Sequence, residues 1–141
     1  MTDKISALKE VLATSYALYI KTQNYHWNVT GPRFYSLHKF FEEQYTDLAA
    51  AVDEIAERIR FLGAKAPGSF SAYSAISLIK DASGDENAEE MVANLTNDQQ
   101  AIIDALQNAI KHAGDDEATI DLLLGRVRTH EQTMWMLKSS I

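Results

Sequence analysis

The feature that most constrains this chain is one unbroken apolar periodicity. From Leu37 the apolar residues fall at Phe41, Tyr45, Leu48, Val52, Ile55, Ile59 and Leu62, the three-and-four alternation of a helix that buries a single stripe. Thr30-Gly31-Pro32 breaks the chain just before this helix, and Gly63 supplies a left-handed end just after it. One position further round runs a second line, His38, Glu42, Asp53 and Glu57, displaced by about 100° from the apolar stripe. The helix therefore carries a core face and, beside it, a flank of side chains able to do chemistry.

Sharing a flank is not sharing a site. At about 1.5 Å rise per residue, His38 and Asp53 stand roughly 22 Å apart along the axis, too far for one metal ion. Asp53 and Glu57 are i, i+4 neighbours that can converge on an ion, so any nitrogen partners come from elsewhere. A second copy of the chain can supply them. Two such helices packed antiparallel about a two-fold axis near residues 45 to 48 set His38 and Glu42 of one beside Asp53 and Glu57 of the other, and symmetry makes two equal sites. Thr46, Ala49 and Ala50 are small enough there to allow close approach. A helical hairpin turning at residues 31 and 32 also sets His26 opposite positions 37 and 38.

Two imidazoles with carboxylates suit Fe(II) or Zn(II), and with no cysteine in the chain no thiolate biases the choice of metal. A plainer reading stands beside this one. Histidines among aromatic residues commonly serve packing, and Asp53 and Glu57 read equally well as a solvated face paired with Arg58 or Arg60. Spacing alone leaves both open.

The remaining chain reads as three further long helices and a crossover. The first helix runs from Asp3, an N-cap, through Ile5, Leu8, Leu12 and Tyr19 to His26 or beyond. Residues 64 to 86 are rich in serine and interrupted by Pro67 and glycines, yet Tyr73, Ile76, Leu78 and Ile79 are too apolar for a free linker, so a short helix is expected there. The third long helix spans about Glu86 to His112, with Met91, Val92, Leu95, Ile102, Ile103, Leu106 and Ile110 on one side and Gly114 as its stop. The last begins at Asp115-Asp116-Glu117 and continues through Ile120, Leu124, Val127, Met134 and Leu137. The expected architecture is all-α, a four-helix bundle with a short helix in the long crossover between the second and third long helices, formed by residues 1–141 as a single domain.

Several functions are disfavoured. A net charge of −7 repels polyanions, and Lys4, Lys9 and Lys21 read as solvated positions on the first helix. Only Met1, Thr2, Asp3 and Lys4 precede the first helical pattern, and MTDKISALKE carries neither a signal core nor a transit pattern, so a cytoplasmic protein without a membrane span is expected. No Glu-x-x-His pair is present, because Gln23, Tyr35, Ala109 and Val127 stand three residues before the four histidines. That disfavours a di-iron centre inside one bundle. His130-Glu131 does not open a metalloprotease motif, since the fourth residue on is Met134.

The run HWNVTGPRFYSLH, then FFEEQY, VDEIAERI and Leu62-Gly63, resembles the core signature of the Dps family of ferritin-like proteins, and the likeness extends to the acidic Asp115 to Asp121 region and the MWML near the end. The resemblance implies a ferroxidase centre at a subunit two-fold, with iron held by His26 and His38 of one subunit and Asp53 and Glu57 of its mate. Glu42 stands where many relatives have Asp, at the position of a second-iron or bridging ligand. Trp27 is similar to a tryptophan near that centre, and the crossover helix is expected at the dimer interface. Asp121 is the position implied for a three-fold pore through which Fe(II) enters, with Glu131 further along and His130 a departure from the pattern.

The activity implied is oxidation of Fe(II), preferably with hydrogen peroxide, and storage of ferric mineral in a hollow dodecamer built from two-fold dimers, which protects against oxidative damage. DNA binding through a basic extension is not carried over. A nucleoid-compacting DNA binder and a non-enzymatic structural helical oligomer remain the alternative classes.

Overall fold

The computed structural model describes residues 3–141; Met1 and Thr2, part of the short stretch read as preceding the first helix, lie outside it. Five helices follow one another: α1 Lys4–Asn28, α2 Phe34–Phe61, α3 Phe70–Ile76, α4 Ala88–Lys111 and α5 Glu117–Lys138. There is no strand among the described residues. Four are long, and the short α3 lies within the crossover, as the sequence predicts.

The helix ends are set by local chemistry. Asp3 caps α1 by accepting from the Ser6 amide at 2.7 Å, and Asn87 with Glu90 forms a reciprocal capping box at the start of α4. Gly31, at φ 107°, takes the left-handed turn between α1 and α2, where a side chain would be strained. Expectation and structure part at the last helix: Asp115 lies outside it, and Asp116 is the cap, accepting from the Thr119 amide.

Cross-bundle pairs fix the topology. Tyr25 of α1 meets Asn94 of α4, and Lys21 meets Asp98, so these helices run antiparallel. The His26 and His38 rings meet across the α1–α2 hairpin, so that pair is antiparallel too. Hence α2 and α4 are parallel, and the chain between them must travel the length of the bundle, which is why the crossover is long. Arg58 to Thr119 and Asp47 to Arg126 set α2 antiparallel to α5.

Leu37, Phe41, Leu48, Val52, Ile55 and Ile59 of α2 are all buried, and each such side chain contributes about 1.5–3 kcal/mol of burial. Two positions differ from expectation. Leu124 is 42% exposed, because α5 turns Leu123, Val127 and His130 inward and Leu124 sits about 100° away from Leu123. Lys21 is buried at 6% exposure rather than solvated, its Nζ 2.9 Å from both Asp98 Oδ2 and the Lys80 carbonyl. No described helix is long and apolar enough to cross a membrane.

Candidate metal centre

His26 sits in the last turn of α1 and His38 in the second turn of α2, on either side of the Gly31 turn. Each is locked by the other's backbone. His26 Nδ1–H donates to the His38 carbonyl at 2.7 Å, and His38 Nδ1–H donates to the His26 carbonyl at 2.7 Å. The paired bonds fix both tautomers and leave each Nε2 with a free lone pair, the arrangement that a hydrogen-bonded metal-binding histidine requires. The rings stack with centroids 3.8 Å apart at 15°. Phe34 stacks on His38 at 4.9 Å, and Tyr45 meets His26 edge-on at 5.1 Å.

Glu42 is one turn beyond His38. One donor atom from each of His26, His38 and Glu42 lies within 4.8 Å of the others, close enough for one ion. His26 is buried, whereas His38 and Glu42 are half-buried, so the cluster opens to the bundle surface. The only cation near Glu42 among the described residues is Lys39, at 3.9 Å. Two neutral imidazoles and a carboxylate fit a borderline divalent ion and leave coordination positions open.

Asp53 and Glu57 do not join this cluster. Both are exposed further along α2, and no described cation pairs with either. Arg58 and Arg60, the partners that the plainer reading offered, are engaged elsewhere: Arg58 with Thr119 and Asp116, Arg60 with the Ala64 carbonyl. Thr46, Ala49 and Ala50 between the two acidic groups are exposed as well. Trp27, beside His26, is 64% exposed and so does not pack in the core of this chain.

Asp121 and Glu131 are exposed on α5. His130 points the other way and is buried. Asp116 is held 3.2 Å from both Lys4 and Arg58, and its bonds from the Thr119 hydroxyl and amide, with a smaller pull from Lys4, keep its carboxyl well below the usual range. It serves as a cap.

Sequence reasoning missed a buried polar network. His130 Nδ1–H donates to Gln99 Oε1 at 2.6 Å, while its Nε2 accepts from Arg126, which also grips Asp47 with two bonds of 3.0 and 2.8 Å. The signal was available: Gln99 falls between Leu95 and Ile102 on the core face of α4, and Arg126 beside Val127 on that of α5. A polar residue inside an apolar stripe needs an interior partner.

Four long helices with a lengthwise crossover define a ferritin-like bundle, with histidine and carboxylate donors beside the turn that closes the first hairpin. The model of the ferritin-like domain matches residues 5–141. The chain belongs to the Dps family of ferritin-like proteins. It is 40% identical over 137 residues to DNA protection during starvation protein 2 of Bacillus anthracis, covering 96% of this chain and 94% of that one. The Dps crystal structure from Staphylococcus aureus superposes with a TM-score of 0.94 at 34% identity, covering 99% of this chain and 97% of that one. A Vibrio cholerae O1 structure, described as a Dps protein in a broad superfamily of ferritin-like diiron-carboxylate proteins, has a TM-score of 0.92 at 34% identity, over 96% of this chain and 87% of that one. These likenesses support iron storage and protection as the work of the family to which this chain belongs.

Proposed function

We propose that the protein oxidises Fe(II) to Fe(III) with hydrogen peroxide at centres shared between two copies of the chain. Two Fe(II), one peroxide and two protons give two Fe(III) and two waters. The ferric product is stored as mineral inside a dodecameric shell, and consuming peroxide together with ferrous iron suppresses hydroxyl-radical chemistry.

The observation that carries this reading is a centre only half built within one chain. His26, His38 and Glu42 converge, while Asp53 and Glu57 stand exposed and without a cation partner among the described residues on the same helix, roughly 22 Å and 28 Å from His38 along the axis. An antiparallel second α2, approaching over Thr46, Ala49 and Ala50, supplies those carboxylates to the first chain's histidines and receives the same in return. Iron binds as substrate. The imidazoles hold Fe(II), the harder carboxylates favour the ferric product, and the open positions admit peroxide. Asp121 belongs to the route by which Fe(II) reaches the interior.

Anaerobic protein given Fe(II) and then peroxide should develop ferric absorbance in a fast phase that consumes two irons per peroxide. Wild-type protein that binds no Fe(II) in anaerobic calorimetry would instead mark a structural oligomer.

A further inference from the structure

Four half-buried tyrosines form an unbroken line of ring contacts leading away from the histidine pair. Tyr45 meets His26 at 5.1 Å, Tyr19 follows at 5.9 Å, Tyr16 at 5.7 Å, and Tyr16 stacks on Tyr73 at 4.7 Å and 22°. The line passes from α2 to α1 and ends on α3 in the crossover. The hydrogen bond from the Tyr73 hydroxyl to the Pro67 carbonyl, 2.6 Å, holds its ring against Tyr16.

We propose that Tyr45, Tyr19 and Tyr16 carry an oxidising equivalent from the iron centre to the Tyr16–Tyr73 stack when only one Fe(II) is bound. This rests on the iron-oxidation reading above. Peroxide takes up two electrons, and one Fe(II) supplies one. A centre that reduces peroxide with a single electron releases hydroxyl radical, so safe turnover at partial loading needs a second donor within reach. Phenols are the readily oxidised side chains in line here.

The step balances as Fe(II), one tyrosine, one peroxide and one proton going to Fe(III), one neutral tyrosyl radical and two waters. The phenolic O–H bond of Tyr16 breaks, its electron passes along the rings to the centre, and its proton leaves to solvent past Tyr16, which is half-buried in the single chain. The hole comes to rest on the stack because two parallel rings share it. The neutral radical forms at Tyr16, since the hydroxyl of Tyr73 faces a carbonyl, which is no base. A later Fe(II), with one proton, returns the tyrosine and becomes Fe(III). The sum over both irons is the two-electron reduction already described.

Packing alone explains aromatic residues between α1, α2 and α3, so the test reads the radical rather than the fold. Protein loaded anaerobically with one Fe(II) per centre receives one equivalent of hydrogen peroxide and is freeze-quenched for electron paramagnetic resonance. A tyrosyl signal is expected that narrows with ring-deuterated tyrosine in the unaltered chain and disappears on adding more Fe(II). Tyr45→Phe, which keeps the ring but cannot be oxidised, loses the signal and releases several-fold more spin-trapped hydroxyl radical, whereas Trp27→Phe keeps the signal. Ferric absorbance with no organic radical, a signal unchanged in Tyr45→Phe, or one lost in Trp27→Phe overturns the relay and leaves iron oxidation standing. No ferric absorbance in the wild type overturns both.

Discussion

Lys21 Nζ lies 2.9 Å from Asp98 Oδ2 in the interface between α1 and α4, and both side chains are largely removed from water. Burial raises the Asp98 carboxyl above its ordinary value, and Lys21 opposes that shift. Two opposing charges of this kind stabilise weakly as a pair but are costly to separate, because the survivor remains buried and uncompensated.

Lys21→Met should therefore destabilise the protein by about 3–5 kcal/mol at neutral pH. A raised carboxylate binds its proton more readily when folded, so the deficit should shrink as the pH falls through the range in which Asp98 protonates. Combining Lys21→Met with Asp98→Leu should recover most of the loss. Denaturant unfolding of the two variants at a fixed protein concentration measures both effects; a double variant as unstable as the single one would show that packing, not charge, is at stake.

His130 predicts a second pH effect, of opposite sign. Burial first, and then the Arg126 charge, push its imidazole down to about 3, against a partial opposing pull from Asp47. In the unfolded chain it titrates near the ordinary 6.5, so between those values the unfolded state holds one more proton than the folded state. The contribution is complete above about pH 6.5 and falls, by about tenfold in the folding equilibrium per pH unit, as the pH drops towards 3. Unfolding curves from pH 7 to pH 5 should show this slope in the wild type and lose it in His130→Gln. An equal slope in both assigns it to other groups.

The contrast between these two sites and the candidate metal centre shows what the sequence can disclose. The α2 stripe was legible because its apolar residues repeat at helical spacing, and His26 met His38 as expected because a hairpin turning at Gly31 leaves few other registers. Spacing also excluded a shared site for His38 and Asp53 within one chain. Lys21 and Arg126 were not legible in the same way. Long charged side chains usually reach water, and only the approach of Asp98 from α4 or Asp47 from α2 keeps these inside. Leu124 was misplaced for a related reason: adjacent leucines at 122, 123 and 124 allow several helical phases, and packing against α4 selects among them.

Asp121 offers a prediction free of folding effects. It is exposed on α5 and enters no ion pair among the described residues, so neutralising it removes no internal contact. Asp121→Asn should assemble like the wild type and slow Fe(II) uptake severalfold, because a carboxylate along the proposed entry route would concentrate cations by its field. Stopped-flow uptake curves that superpose on the wild type would remove Asp121 from the route.

The proposed shared centre makes the sharpest demand. His38→Ala and Asp53→Ala should each abolish the fast phase of iron oxidation, although the two residues stand roughly 22 Å apart in one chain. In a dimer made from one subunit of each variant, one centre takes its histidine from the first variant and its carboxylate from the second, and both are missing. The other centre takes both intact halves. Dissociating, mixing and reassembling the two inactive proteins should therefore restore half of the sites in every mixed dimer, or about a quarter of all sites under random pairing. Activity that stays at zero after verified exchange would mean that α2 does not meet its own copy in opposite sense, and that Asp53 and Glu57 serve no metal bound by His26 and His38.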